Sequence, residues 1–363
     1  MRPLINLLSV KSKLLCYGVN YDSEMRDILF SKAPHIFNKY VHSANFCIEN
    51  AIVVNIPLDE NYTKYSPYTL KYDNDNFYIY EDFTKIEIEL ITPPDWLFNE
   101  TADGTPFSNI ISLHGRNTLC LSYHKCCDYV SEGVGCKFCS FNNPISKTYE
   151  LSNIKHVFKS AFERNSTYSV ALSNGTIFDE NKYVNHFGKI INIIKNINSD
   201  CKVSVEISPV SERSLSTLFK YGVSSVFINI ELVDDNIRKM ICPGKSQISV
   251  NEYFKALSFS VEKLGHGMVS SVLIFGLERK EITIDTACKL IDIGVVPVII
   301  PFKPYDHCYL KNFSITNADE LLNVYIEIDN YMKKKKFSHP KQHSCNACGG
   351  CSGLSDLLKK YEK

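Results

Sequence analysis

The stretch CCDYVSEGVGCKFC, residues 126–139, carries most of the information about the fold and the chemistry of this chain. Two adjacent cysteines, Cys126 and Cys127, are separated by a glycine-containing loop from Cys136 and Cys139. Three thiolates in one loop are what a metal ion or an iron–sulfur cluster needs. With only three protein thiolates, a four-iron cluster keeps one iron open for a chelating ligand.

Strand-like and helix-like segments alternate after this loop, which itself follows a strand-like run. The predicted strands are 118–123, 168–173, 202–207, 225–230, 269–275 and 295–301, and the predicted helices are 154–164, 181–197, 212–221, 234–241, 250–264 and 282–293. Such alternation predicts a parallel α/β sheet with right-handed crossovers. The pattern fits an open doubly wound sheet or a partial barrel, and both place ligands at the carboxyl ends of the strands.

The flanking regions differ in composition from this array. Residues 1–105 contain short alternating runs (51–56, 76–80 and 85–90), which predict a small β-rich N-terminal domain or lid. We expect the α/β array to occupy residues 106–310. The extension 311–363 contains a predicted helix at 318–332 and a Cys-rich end.

Charge and cysteine content narrow the class of protein. Lys plus Arg and Asp plus Glu number 40 each, so no overall field favours a nucleic acid. The sequence has no apolar run of membrane-spanning length and no full signal peptide at its start, which predicts a cytoplasmic protein whose 14 cysteines stay reduced. Scattered cysteines, including Cys120 and Cys242, are predicted to be small core residues.

The cysteine loop resembles that of the radical S-adenosylmethionine (SAM) superfamily. The usual motif there is C-x3-C-x-aromatic-C, in the loop after the first strand of a partial (β/α)6 TIM-like barrel. Here the second half is intact as Cys136-Lys137-Phe138-Cys139. The first spacing is expanded to eight residues from Cys127 or nine from Cys126, as in the Elongator catalytic subunit family. We favour Cys127 as the first ligand over Cys126, and a zinc knuckle is the alternative reading of the loop.

The resemblance implies further cofactor-binding positions. Phe138 belongs to the motif itself, and the turn after the second strand would receive the amino group of SAM, although it departs from the usual Gly-Gly-Glu. This turn is Ser173-Asn174-Gly175. Glu206 and Glu231, at strand ends, would bind a ribose diol or an amino group. Arg238 would bind the methionine carboxylate, and Gly276, after the fifth strand, would support the adenine. An ordinary βα turn and surface ion pairs are the alternative readings. No catalytic residue is identified.

The resemblance also implies an activity. An oxygen-sensitive enzyme would use a [4Fe-4S] cluster to cleave SAM reductively into a 5′-deoxyadenosyl radical, which takes a hydrogen atom from a small metabolite or a modified peptide. A flavodoxin or ferredoxin would supply the electron. The alternatives are a tRNA-modifying enzyme of Elongator type and a non-catalytic iron–sulfur or zinc protein.

The end of the chain carries a second cysteine motif, formed by Cys345, Cys348 and Cys351. Its C-x2-C-x2-C spacing is ferredoxin-like and predicts a second iron–sulfur cluster. A fourth ligand would come from Cys308, His307, His343 or the substrate. A structural zinc site and a disordered tail are the alternatives.

Overall fold

The computed structural model describes residues 3–38, 42–123, 126–139 and 149–362. Its first part is a five-stranded antiparallel sheet in the order β2-β1-β5-β4-β3. The elements are helices α1 (Leu4–Tyr17) and α2 (Ser23–Lys32), then β1 (Ser43–Ile48), β2 (Ile52–Pro57), β3 (Tyr68–Asp73), β4 (Asn76–Glu81) and β5 (Thr84–Leu90). The β-rich N-terminal region predicted from the sequence is confirmed.

The two helices before this sheet were not predicted, and α1 shows why. Leu7, Leu14 and Leu15 pack in the core of the N-terminal sheet, whereas Leu8 and Cys16 pack in the core of the following α/β part. A helix buried on two sides has no single apolar stripe, so its sequence lacks the pattern by which a surface helix is identified.

Residues 107–301 form the α/β part, a seven-stranded sheet in the order β12-β11-β10-β9-β8-β7-β6. Its elements are α3 (Phe107–Ile110), β6 (Ser112–His114), β7 (Thr118–Ser122), α4 (Asp128–Ser131), α5 (Leu151–Arg164), β8 (Ser169–Ser173), α6 (Glu180–Ile197), β9 (Val203–Glu206), α7 (Glu212–Lys220), β10 (Ser225–Phe227), α8 (Asp235–Ile241), α9 (Val250–Leu264), β11 (Val269–Phe275), α10 (Lys280–Asp292) and β12 (Val296–Pro301). Strands β7 to β12 are parallel, and β6 is an antiparallel edge strand.

The strand order decides between the two closures that the sequence left open. Spatial order follows chain order from β6 to β12 without a reversal. A doubly wound sheet reverses its order at a switch point, whereas a barrel does not. The sheet is therefore a curled half-barrel, as the sequence resemblance predicts.

Strand β10 is shorter than predicted, because side chains interrupt the backbone ladder to β11 beyond Ile228. The Val272 backbone N–H donates to Asn229 Oδ1 at 3.1 Å, and the Ile230 N–H donates to Ser271 Oγ at 3.1 Å. Glu231 then has a positive φ of 70° and makes only an isolated bridge.

One face of the half-barrel sheet is polar. On β7, Leu119 and Leu121 pack into the apolar core, so the alternate residues Thr118, Cys120 and Ser122 point to the opposite face. Strand register extends this face into two rows of neighbouring residues, which are Cys120, Ala171, Ser204 and Ser225 in one row and Ser122, Ser173, Glu206 and Phe227 in the next. The concave side of the sheet thus has polar groups from one end to the other.

The carboxyl-terminal extension closes the amino end of the half-barrel. It contains α11 (Ala318–Lys334), α12 (Ser344–Cys348) and α13 (Leu354–Leu358). Ser344 accepts from Thr118 Oγ1 through its carbonyl at 3.1 Å, and its own N–H donates to Ser169 Oγ at 3.0 Å. Asn346 Nδ2 donates to Ser270 Oγ at 2.8 Å. These contacts place α12 at the starts of the barrel strands. No helix within the described residues has both the length and the apolar character that crossing a membrane requires.

A buried ion pair joins α1 to this extension. The ammonium group of Lys11 lies 2.6 Å from Asp356 Oδ2 and also donates to the Gly349 carbonyl at 2.6 Å. The two side chains are only 0% and 3% exposed. Removing one partner of such a pair leaves an uncompensated charge in the interior.

We predict that Lys11→Met lowers the free energy of unfolding by about 3–5 kcal/mol, because Asp356 stays buried without its main partner. Lys289→Met is the matched control, since its ion pair with Asp285 is 63% exposed on both sides. Denaturant titration of both variants measures the difference. Equal stabilities for the two variants would show that the buried pair contributes nothing.

Candidate functional site

The cysteine loop begins at the carboxyl end of β7 and packs against the turn that follows β8. The Asp128 N–H donates to the Thr176 carbonyl at 2.8 Å, and Asp128 Oδ2 accepts from the Phe178 N–H at 2.7 Å. Both hydrogen bonds join the start of α4 to the β8 turn. The thiols of the loop are therefore held at the edge where parallel α/β sheets bind ligands.

Gly175 makes this packing possible. A Cβ atom at this position would lie 1.9 Å from the Cys126 carbonyl oxygen and 2.8 Å from the Cys127 Cα. Any side chain would push the two loops apart, so the glycine is required by the close approach of two backbones. Ser173 lies on the polar row of the sheet, and Asn174 lies between these two residues. Their predicted contacts with SAM stay predictions.

Cys136 and Cys139 enclose a tight turn in which the Cys139 N–H donates to the Cys136 carbonyl at 3.1 Å. The Lys137 N–H donates to the carbonyl of Ile241 at 2.8 Å, which fixes the turn to the end of α8. Phe138 packs against a small apolar cluster that contains Leu232, Ile241, Cys242, Ile274, Phe302, Cys308 and Leu310. The position of Phe138 thus anchors the turn, and its predicted role beside the cofactor is not tested.

Cys242 forms a thiol pair with Cys136, a contact that the sequence did not reveal. A hydrogen bond from Cys242 is the largest cause that lowers the pKa of Cys136, and the nearby Lys245 ammonium lowers it further. The same hydrogen bond raises the pKa of Cys242 far above its ordinary range. Cys136 is therefore the partner that favours the thiolate form, which is the form that ligates metals.

The phenol of Tyr129 distinguishes between the two upstream cysteines. Burial chiefly raises the pKa of Tyr129, and the Cys127 and Cys136 thiols both raise it further. These two thiols therefore lie within electrostatic range of one hydroxyl group. The Cys126 sulfur instead contacts Ser131 Oγ at 3.5 Å. This geometry favours Cys127 as the companion of Cys136 and Cys139.

Both predicted carboxylates lie at the carboxyl ends of neighbouring strands, and each has a specific partner. Glu206 Oε1 accepts from Asn229 Nδ2 at 2.6 Å, and burial, followed by the Glu231 charge, raises the pKa of Glu206. Glu231 Oε1 lies 2.6 Å from the ammonium group of Lys245. Burial alone would lower the pKa of Lys245, but the Glu231 carboxylate raises it well above its ordinary value. The structure thus brings Glu206, Glu231 and Cys136 into one polar group.

Arg238 and Gly276 are occupied by contacts within the protein. The buried Arg238 guanidinium donates from Nη2 to the Lys245 and Ile248 carbonyls at 3.1 and 3.0 Å, so it fixes the loop that carries Lys245. Gly276 has a φ of 104°, and a Cβ there would lie 2.4 Å from Thr316 Oγ1. These contacts within the protein account for both residues without any bound ligand. The contacts of Arg238 and Gly276 with SAM stay predictions.

The tail cysteines lie away from this loop, at the opposite end of the half-barrel. Cys120 was predicted to be an ordinary core residue, and that interpretation needs correction. Its thiol is hydrogen-bonded to Cys345. This bond, burial and the nearby Cys348 and Cys351 thiols all raise the pKa of Cys120. A sequence signal existed, because Cys120 alternates with the apolar Leu119 and Leu121. Cys308 instead packs beside Phe138.

The donor set at the cysteine loop fits an iron–sulfur cluster. Cys126, Cys127, Cys136 and Cys139 are half-buried and lie in one loop, which starts at the carboxyl end of β7. Cysteine sulfur is the ligand type that iron–sulfur clusters take from proteins. Within the described ranges, no three His, Cys, Asp or Glu side chains converge closely enough to hold a single metal ion.

Comparison with known proteins agrees with this geometry. The sequence model of the Radical SAM superfamily matches residues 133–285, which include Cys136 and Cys139 but not Cys126 or Cys127. The chain is 21% identical to the bacteriochlorophyllide c C-7(1)-hydroxylase of Chlorobaculum limnaeum in an alignment of 276 positions, which covers 68% of this chain and 67% of the hydroxylase.

A solved structure with a TM-score above 0.5 has a similar fold. Methylornithine synthase (PylB) superposes with a TM-score of 0.51 at 16% identity, over 69% of this chain and 71% of that chain. The FeFe-hydrogenase maturase HydG from Carboxydothermus hydrogenoformans has a TM-score of 0.49 at 16% identity, over 68% and 56% of the two chains. The family match gives residues 133–285 of this chain a domain of the radical SAM superfamily, and the half-barrel with the cysteine loop at its carboxyl end agrees with that match.

Proposed function

We propose that Cys127, Cys136 and Cys139 hold a [4Fe-4S] cluster that binds and reductively cleaves SAM, and that the enzyme then takes a hydrogen atom from a small metabolite or a modified peptide. When bound, the cluster and SAM supply a 5′-deoxyadenosyl radical. The observation that carries the proposal is the position of the cysteine loop, which packs through Asp128 and against Gly175 on the turn at the carboxyl end of β8.

The residues of the chain itself would bind and orient the reactants. Glu206 and Glu231 present carboxylate oxygens at the ends of β9 and β10, where hydroxyl and amino groups of SAM would find acceptors. Lys245 places a positive charge beside Cys136, which compensates the negative charge of thiolate ligands. Asn229 fixes Glu206 by a hydrogen bond and so orients its carboxylate.

A small-molecule substrate is favoured over tRNA for two reasons. The balance of 40 basic and 40 acidic residues provides no overall attraction for a nucleic acid. A relative of this chain is named as a bacteriochlorophyllide c hydroxylase, and its name refers to no nucleic acid. We also propose a cytoplasmic location, and a flavodoxin or ferredoxin as the electron donor. The spacing of Cys345, Cys348 and Cys351 supports a second iron–sulfur cluster in the tail.

We predict that the anaerobically reconstituted protein, reduced with dithionite, converts SAM into 5′-deoxyadenosine and methionine. The cleavage needs no substrate to be known, so liquid chromatography of the products measures it directly. A Cys136→Ala/Cys139→Ala variant is the control, because it retains the fold but loses two proposed ligands. A wild-type sample that is fully loaded with iron and forms no 5′-deoxyadenosine would contradict the proposal.

We predict that Cys127→Ala abolishes SAM cleavage, whereas the adjacent Cys126→Ala retains it. The Cys127 thiol, like that of Cys136, acts electrostatically on Tyr129, and the Cys126 sulfur contacts Ser131 Oγ. The two variants differ by one position in the chain and thus control for each other. Iron content and 5′-deoxyadenosine formation measure the effect, and the opposite ranking would assign Cys126 as the ligand.

A further inference from the structure

Three cysteines of the tail meet a fourth cysteine of the barrel. The Cys345 and Cys120 thiols share a hydrogen bond, and the Cys348 and Cys351 thiols lie close enough to act on Cys120. The hairpin between β6 and β7 also touches this group, since a Cβ at Gly115 would lie 3.1 Å from Cys348 Sγ. Residues more than 200 positions apart in sequence therefore converge at the amino end of the half-barrel.

The backbone around these thiols fixes their alignment. Ser344 directly precedes Cys345 and accepts from Thr118 Oγ1, and Thr118 lies two residues before Cys120 on the same face of β7. On the far side of the motif, the Gly350 carbonyl accepts from the Asn55 N–H at 2.8 Å. The tail is thus anchored both to the barrel and to the N-terminal sheet.

We propose that Cys120, Cys345, Cys348 and Cys351 together ligate a second four-iron cluster at the end of the half-barrel opposite to the SAM site. The proposal rests on the tail cluster proposed above and adds the ligand that the tail lacks. Four protein thiolates complete the ligand set of a four-iron cluster. No iron then stays open, so this cluster can pass electrons but cannot bind SAM or a substrate at iron.

Two of the fourth ligands predicted from the sequence, Cys308 and His343, have other contacts. Cys308 is buried in the apolar cluster beside Phe138. The His343 ring nitrogen Nε2 is hydrogen-bonded to Ser225 Oγ at 3.1 Å, on a strand distant from β7 in the sheet. Cys120 is the thiol that contacts the tail motif directly.

Cations lie beside these thiols. The Lys303 ammonium lies within electrostatic range of Cys351. The Lys11 ammonium donates to the Gly349 carbonyl, and its charge acts to lower the pKa of Cys348 and Cys351. Four thiolates carry more negative charge than a four-iron core carries positive charge. Basic groups at this position compensate the excess, which makes burial of the cluster less costly.

The site also has room for a group larger than one ion. Cys345 and Cys351 are exposed residues, so free space lies beside their side chains.

The test removes two proposed ligands of the SAM-binding cluster and measures the iron that the protein still holds. We expect the Cys136→Ala/Cys139→Ala protein to keep about four iron atoms per chain, against about eight in the wild type. Its electron paramagnetic resonance spectrum after reduction should not change when SAM is added. In this background, Cys120→Ala and Cys120→Ser should lower the iron content or alter the spectrum. Cys201→Ala, which removes a buried thiol far from the tail, is the matched control.

Several results would overturn the proposal without bearing on SAM cleavage. A folded double variant that holds no iron, or that holds zinc, would exclude the second cluster. A Cys120 variant indistinguishable from Cys201→Ala would show that Cys120 is not a ligand. Thermal melting of each variant verifies folding, and 5′-deoxyadenosine formation by the wild type reports separately on the proposed function.

Discussion

The close contact between Gly175 and the backbone of Cys126 and Cys127 is the constraint on which the site depends. It lets the turn after β8 support the cysteine loop directly, with the hydrogen bonds of Asp128 on either side. A second support comes from α8, whose Ile241 carbonyl accepts from Lys137. The loop is thus held at two points by rigid elements, which is how a scaffold positions ligating side chains accurately.

The two ends of the half-barrel carry thiols with different surroundings. At the carboxyl end, Cys136 lies beside Lys245 and two carboxylates, in a polar group that suits SAM. At the amino end, Cys120 and the tail cysteines lie among anchored backbone and basic groups. Both sites attach to one strand, since Cys120 precedes Cys126 by six residues, which limits their separation along the chain to about 20 Å. One proposed cluster has an iron without a protein ligand, and the other has four protein ligands. With both attached to the same strand, the first could carry out the chemistry while the second supplies electrons.

Much of the half-barrel could be predicted from the sequence. Alternation of buried strands and amphipathic helices gave the elements of residues 118–301 to within a few residues, because each has one clear apolar face. The shortening of β10 could not be predicted, since it depends on the Asn229 side chain bonding across to β11. Helix α1 was missed because it is buried on two sides.

Residues of the candidate site could be predicted where a local pattern marks them and not where they meet through folding. Spacing predicted Cys136 and Cys139 as candidate ligands, and the ends of strands predicted Glu206 and Glu231 as candidate binding residues. Cys242 and Lys245 became visible only when α8 was placed beside the cysteine loop. Cys120 joins the tail through a contact that spans most of the chain, and no local pattern reports such a contact.

The most direct test of the central claim is electron–nuclear double resonance on the reduced protein with SAM labelled by ¹⁵N in its amino group. We predict a hyperfine coupling between the label and the cluster, because one iron is left without a protein ligand and the amino group binds it. A sample that is fully loaded with iron and binds SAM but shows no coupling would contradict the claim that the cysteine loop holds a site-differentiated cluster.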